Sequence, residues 1–169
     1  MIDKIISGGQ TGVERAALDV AIDLGITHGG YISFGCKTEY GTLPKKYTLT
    51  QIKSSSPGGS IHANIKNSDA TLLIVPNRER LNAPGPICAA SHIDFLHKPS
   101  RTYFLDMYDK INPDLPGVID FEEEKRFDEW LTKFNIRILN VCGTAESRSP
   151  GVQKRAYDLL YFLLGNKND

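Results

Sequence analysis

The chain has 169 residues, and 20 Lys plus Arg are matched by 20 Asp plus Glu, so its formal net charge is zero. That length predicts one domain, residues 1–169, able to bury roughly 70% of its unfolded surface without disulfide or metal staples. The balanced charge excludes non-specific binding to duplex nucleic acid, the apolar content of 40% excludes bulk disorder, and no apolar run approaches the roughly 18 residues of a membrane span.

Met1-Ile2-Asp3-Lys4 carries an acid where a secretory signal would carry only bases, and the apolar stretch behind it is short. A cytoplasmic location is the expectation. Met1 to Ser7, with Ile2, Ile5 and Ile6, predicts a buried first strand that runs into Gly8-Gly9-Gln10-Thr11-Gly12. Val13, Ala17, Val20, Ala21 and Leu24 then recur at helical spacing, and Gly25 closes that helix. Ile26 to Phe34 reads as a second strand, weakened by Gly29-Gly30. Residues 35–60 are irregular, and a loop of that length is commonly functional.

Ile61 to Lys66 predicts a short helix, and Ala70 to Val75 is the clearest buried strand. A polar turn, 77–82, leads to Ala83-Pro84-Gly85-Pro86, with Pro86 in the first turn of a helix carrying Ile87, Ala90 and Ile93. Thr102 to Leu105 predicts a fourth strand. After a proline-rich connector, Phe121 to Phe134 predicts a helix and Ile136 to Cys142 a fifth strand. Ser149 is placed to cap a last helix with the stripe Val152, Ala156, Leu159, Leu160 and Leu163. Five strands alternating with helices predict an α/β fold: a three-layer, Rossmann-like parallel sheet with helices on both faces.

Ligands of such sheets bind outside the carboxyl ends of the strands. The loop Gly8, Gly9, Gln10, Thr11, Gly12 before a helix offers backbone N–H groups and a positive dipole end to an anion. It equally serves as a tight strand-to-helix turn. Arg15, one turn further on, either forks onto a ligand anion or pairs with Asp19 four residues away. The loop after the fifth strand repeats the pattern with Gly143, Thr144, Ser147, Arg148 and Gly151. Ala83-Pro84-Gly85-Pro86 is a poorer phosphate cradle, because neither proline has an N–H. Cys36, Cys88 and Cys142 are three and widely spaced, so they act as small apolar side chains rather than a disulfide framework. The histidines show no ligand spacing, and no protein-ligated metal is expected.

The run Ser7-Gly8-Gly9-Gln10-Thr11-Gly12-Val13-Glu14-Arg15-Ala16-Ala17-Leu18-Asp19 closely resembles the start of the molybdenum cofactor carrier family. That family lies within the Rossmann-like group of YpsA-like proteins and lysine decarboxylase-like phosphoribohydrolases. Further blocks follow in the same order. They are His28-Gly29-Gly30-Tyr31, Thr38-Glu39-Tyr40-Gly41 with Leu43-Pro44 and Tyr47, Asn64 with Ser68 to Leu72, and Leu139-Asn140-Val141 with Gly143, Ser147, Pro150 and Gly151. The chain departs from the family in having Glu14 for the usual Asp. It also has Asn82 to Pro86 where the phosphoribohydrolases have Pro-Gly-Gly-x-Gly-Thr, which argues against N-glycosidic hydrolysis.

The resemblance implies a Rossmann-like homo-oligomer, dimer or tetramer, that binds a phosphorylated pterin or a nucleotide. In carriers, molybdenum is held by the pterin's own dithiolene. The leading expectation is therefore a carrier of molybdenum cofactor or a nucleotide. Gly8 to Gly12 would hold the phosphate, Arg15 would neutralise it, Ser147 and Arg148 would complete the site, and Glu39 would contact the organic part. A nucleotide-cleaving hydrolase, with Glu14 or Glu39 activating water and Arg15 placing the phosphate, is the second expectation. A nucleotide sensor in a signalling assembly, motivated by the loop 35–60, is the third.

Overall fold

The computed structural model describes residues 2–109 and 121–165. The proline-rich connector predicted after the fourth strand falls largely outside them. In chain order the elements are β1 (Lys4–Ile6), α1 (Val13–Asp23), β2 (Thr27–Gly29), β3 (Tyr31–Ile32), β4 (Lys37–Thr38), β5 (Gly41–Thr42), β6 (Thr50–Gln51), α2 (Pro57–Lys66), β7 (Ala70–Val75), α3 (Pro84–Leu96), β8 (Ser100–Phe104), α4 (Leu105–Asp109), α5 (Phe121–Lys133), β9 (Ile138–Gly143) and α6 (Val152–Gly165).

Five strands form one parallel sheet in the order β2-β1-β9-β7-β8. The pleat sends alternate side chains to opposite faces. Ala70, Leu72 and Ile74 of β7 join Leu139 and Val141 of β9 under α1, α5 and α6, where Val13, Ala17, Phe127, Leu131, Ala156, Leu159 and Leu160 are buried. Leu73, Val75 and Cys142 point the other way, against Ile65 of α2 and Ala89 and Ile93 of α3. All six residues of β7 are buried, as covering both faces of a central strand requires. The result is the expected α/β fold with three layers.

Four local differences from the sequence reading have physical causes. The predicted second strand, Ile26 to Phe34, breaks at Gly30, which adopts a φ of +131°. β2 stays in the sheet, whereas β3 leaves it to pair with β6. Asn64 of α2 holds β3 in place, accepting from the Tyr31 N–H at 2.8 Å and donating to its carbonyl at 2.9 Å. The two helices on this face also start early, at Pro57 and Pro84, because proline suits a first turn whose N–H would be unsatisfied anyway. The last helix is capped by Glu146, whose carboxylate accepts from Gly151 N and Gln153 N. Finally, Arg15 and Asp19 do not pair. Asp19 accepts from Lys46 Nζ and Tyr47 OH, both at 2.7 Å. Among the described residues no helix is long and apolar enough to cross a membrane.

Candidate functional site

The carboxyl ends of β1, β9 and β7 open into a cleft of about 680 Å³, within the usual size range of small-molecule sites. One side is made by the loop before α1 and the loop after β9, contributing Gly8, Gln10, Thr11, Glu14, Gly143, Thr144, Ala145 and Arg148. The other is made by the segment after β3 and the first turns of α2 and α3, including Ile32, Phe34, Pro57, Ile61, Pro84 and Pro86. The first side is polar and the second largely apolar.

The glycine loop is positioned as expected, but much of its donor capacity is used within the protein. Gln10 N donates to Glu14 Oε2 at 3.0 Å, Gly12 N to Gln153 Oε1 at 3.1 Å, and Val13 N to the Thr144 carbonyl at 3.1 Å. Gly9 and Gly12 have φ of +78° and +87°, so the loop's path is one that L side chains rarely adopt. Arg15 turns back from the cleft. Its Nε and Nη2 donate to the Gly9 carbonyl at 3.3 and 3.1 Å, and its guanidinium lies 5.0 Å over the Tyr47 ring.

Glu14 lines the cleft beside Gly8, where a Cβ would meet its Oε2 at 2.6 Å. Burial pushes its carboxyl up from an ordinary 4.5 to about 7, against the Gln10 N–H bond and the Arg15 charge that pull it down. A carboxyl poised there can hold or release a proton near neutrality.

Glu39 stands outside the cleft wall, on the β4–β5 hairpin, and ties the two polar loops together. Its carboxylate accepts from Thr11 Oγ1, from Ser147 Oγ, and from Ser147 N at 3.1 Å. Burial acts to raise its pKa, but the Ser147 and Thr11 hydrogen bonds outweigh it and, with Arg148 nearby, hold the carboxyl below the ordinary range. Gln10 secures the same hairpin, donating to Lys37 O at 3.1 Å and accepting from Glu39 N at 3.2 Å. Glu39 thus occupies donors of both loops, the Thr11 and Ser147 hydroxyls and the Ser147 N–H. Glu39→Gln is expected to tighten binding of inorganic phosphate about two- to fivefold, the worth of a partly exposed charge contact. Isothermal titration against the wild type measures it, and weaker binding by the variant would make Glu39 a supporting rather than a competing group.

One group on the polar side has no partner. Thr144 is 2% exposed and lines the cleft, and its Oγ1 is buried without a hydrogen bond among the described residues. Buried hydroxyls are normally paired, and an unpaired one costs about 1–3 kcal/mol. Arg148 adds an exposed guanidinium on the same loop.

The structure therefore brings Gly8, Gln10, Thr11, Glu14, Gly143 and Arg148 to the cleft. It sets Gly9, Gly12, Arg15, Glu39 and Ser147 behind or beside it. The sequence points to Ala83-Pro84-Gly85-Pro86 only as a poorer phosphate cradle, and it does not point to Phe34 as part of the site. Among the described residues no group of three His, Cys, Asp or Glu side chains could hold a metal ion.

Comparison with known proteins bears on the same region. Residues 5–164 match the family described as circularly permutated YpsA SLOG. A crystal structure of a protein from Syntrophus aciditrophicus, provisionally described as a molybdenum carrier protein, superimposes with a TM-score of 0.84. It is 30% identical, over 96% of this chain and 95% of that one. No curated protein matches.

Proposed function

Starting from a chain that belongs to the circularly permuted YpsA SLOG family, we propose that it binds and carries a small phosphate-bearing cargo, molybdenum cofactor or a nucleotide, in the cleft at the carboxyl edge of its sheet. The observation that carries this reading is the orphaned Thr144 hydroxyl, on the same cleft-lining loop as Arg148. A χ1 rotation that turns the buried hydroxyl into the cleft would let it donate to a phosphate oxygen, and the guanidinium supplies a charge-assisted bond. Arg15 supports the loop through the Gly9 carbonyl. The molybdenum of such a cargo is carried by its own dithiolene, so the protein supplies anion and ring recognition rather than metal ligands. The crystal structure provisionally described as a molybdenum carrier supports the choice of cargo.

Thr144→Val tests the reading, because it removes the hydroxyl and keeps the shape. In the free protein it should raise stability by about 1 kcal/mol, since an unpaired polar group is lost. In binding it should lower affinity for a phosphate ester about tenfold, and Arg148→Ala at least as much. The cargo itself is sought by mass spectrometry of small molecules that co-purify with the wild type. Unchanged affinity in both variants would sink the assignment. Light scattering of the same samples reads the expected dimer or tetramer.

The Glu14 carboxyl, raised to about 7 in the cleft, favours a second reading, cleavage of a bound nucleotide with Glu14 as general base. Release of free base or ribose phosphate from nucleoside monophosphates, abolished by Glu14→Gln, is its signature.

A further inference from the structure

The cleft has a second end whose chemistry differs from the first. Phe34 lines it with 62% of its surface exposed. Isolated exposed apolar side chains are ordinary, but this one is built into a fixed backbone at the mouth of a site. Phe34 N donates to the Ser54 carbonyl at 2.9 Å. On one side of it, Ser33 Oγ donates to the Ser56 carbonyl at 3.1 Å and meets Ser60 Oγ at 3.3 Å. On the other, Gly35 N donates to Gln51 Oε1 at 3.0 Å. Gly35 and Cys36 follow in a turn with φ of +88° and +50°. Pro57, Pro84 and Pro86 share this side of the cleft and contribute no N–H donors. Ile32, Phe34, Ile61 and the three prolines thus give this part of the lining a mainly apolar surface, edged by Ser33, Lys37, Ser55 and Ser60, while Thr144 and Arg148 belong to the polar loop after β9.

We infer that Phe34 is a stacking platform for the planar nitrogen heterocycle of the cargo, the fused two-ring π face that a purine nucleotide and a pterin phosphate each present. The inference rests on the reading of Thr144 and Arg148 as the phosphate end. It adds that the ligand spans the cleft, phosphate on the polar side and ring on the proline and phenylalanine side. Stacking is tolerant of the ring's substituents because every such ring has a π face. The preformed backbone around Phe34 limits the ordering cost of binding.

Titration of wild type, Phe34→Ala and Phe34→Trp with guanosine monophosphate, neopterin monophosphate and ribose 5-phosphate tests it. The wild type is expected to bind at least one ringed ester about tenfold or more tighter than ribose 5-phosphate. Phe34→Ala should erase that margin and leave ribose 5-phosphate affinity unchanged, which a general loosening of the site would not do. Phe34→Trp should retain the margin, with quenching of the new indole by the bound ring. Which ringed ester gains more from Phe34 separates nucleotide from pterin. A wild type that binds all three esters equally, or a Phe34→Ala variant that keeps the margin, overturns the stacking role alone. If none of the three binds the wild type, the phosphate reading falls and the stacking role with it.

Discussion

Gly12→Ala is expected to destabilise the protein by about 3–5 kcal/mol and to destroy the cleft together with the fold around it. Gly12 ends the loop before α1 with φ 87° and ψ −136°, a region essentially reserved for glycine. A Cβ there would stand 2.7 Å from Glu146 N and 2.9 Å from Ala145 C, and closer still to the Thr144 carbonyl. All three contacts are backbone, so no side chain can swing aside. Backbone strain of about 1–3 kcal/mol adds to the cost of prising the two loops apart. Moving the Thr144 carbonyl also breaks its bond from Val13 N, which fixes the start of α1. Urea denaturation gives the stability change, and a midpoint within about 0.5 M of the wild type would show that the loops yield without cost. Gly25→Ala is the matching control. Gly25 has a similar φ of +68° but nothing within 4 Å of its Cβ position, so only the smaller conformational penalty applies.

Glu14→Gln is expected to change how stability depends on pH. The folded protein holds the Glu14 proton up to about pH 7, whereas the unfolded chain loses it near 4.5. Between those values the native state binds more protons than the unfolded state, so stability falls as pH rises and the penalty is complete above 7. A separation of this size corresponds to about 3 kcal/mol. Glutamine cannot ionise and its Oε1 can still accept the Gln10 N–H, so the variant should lose the slope. It should match the wild type near pH 4 and exceed its stability by about 1–3 kcal/mol near pH 8. Denaturant titrations at the two pH values decide it, and a slope that survives the substitution would assign the proton elsewhere.

The layers of the fold were legible because their signals are local. Ala70 to Val75 reads as a doubly covered strand, and the stripe Val152, Ala156, Leu159, Leu160 and Leu163 is buried as its spacing requires. The break at Gly30 was not legible. It depends on β3 finding β6 and Asn64, partners about 20 and 33 residues away in sequence. The glycine loop was legible as a place, and Thr144 and Arg148 as members of the loop beside it. How many of the donors remained free was not. Gln153, Glu14 and the Thr144 carbonyl fill three of them, and only the folded chain brings Gln153 and Thr144 to the loop. Arg15 shows the same limit, since its spacing from the loop is right but the Gly9 carbonyl and the Tyr47 ring claim it. Phe34 carried no period or motif, and its significance comes from the wall assembled around it.

The position of β9 has a consequence for biosynthesis. The last strand of the sheet in sequence is the middle one in space, lying between β1 and β7. Asp69 pins its start through the Arg137 and Ile138 N–H groups, at 2.9 and 2.7 Å. Until it emerges from the ribosome, the nascent chain can form only two half-sheets, β2-β1 and β7-β8. Each presents to the other a bare, apolar edge. At typical elongation rates the wait from first strand to last is roughly ten seconds. During that time Ile5, Leu72 and Ile74 lack the neighbour that buries them, and open edges of this kind invite pairing between chains. Arrival of β9 closes both halves at once and brings Gly143 and Thr144 to Gly12. The cleft is therefore among the last features of the molecule to form, because two of its walls meet only when the sheet is joined.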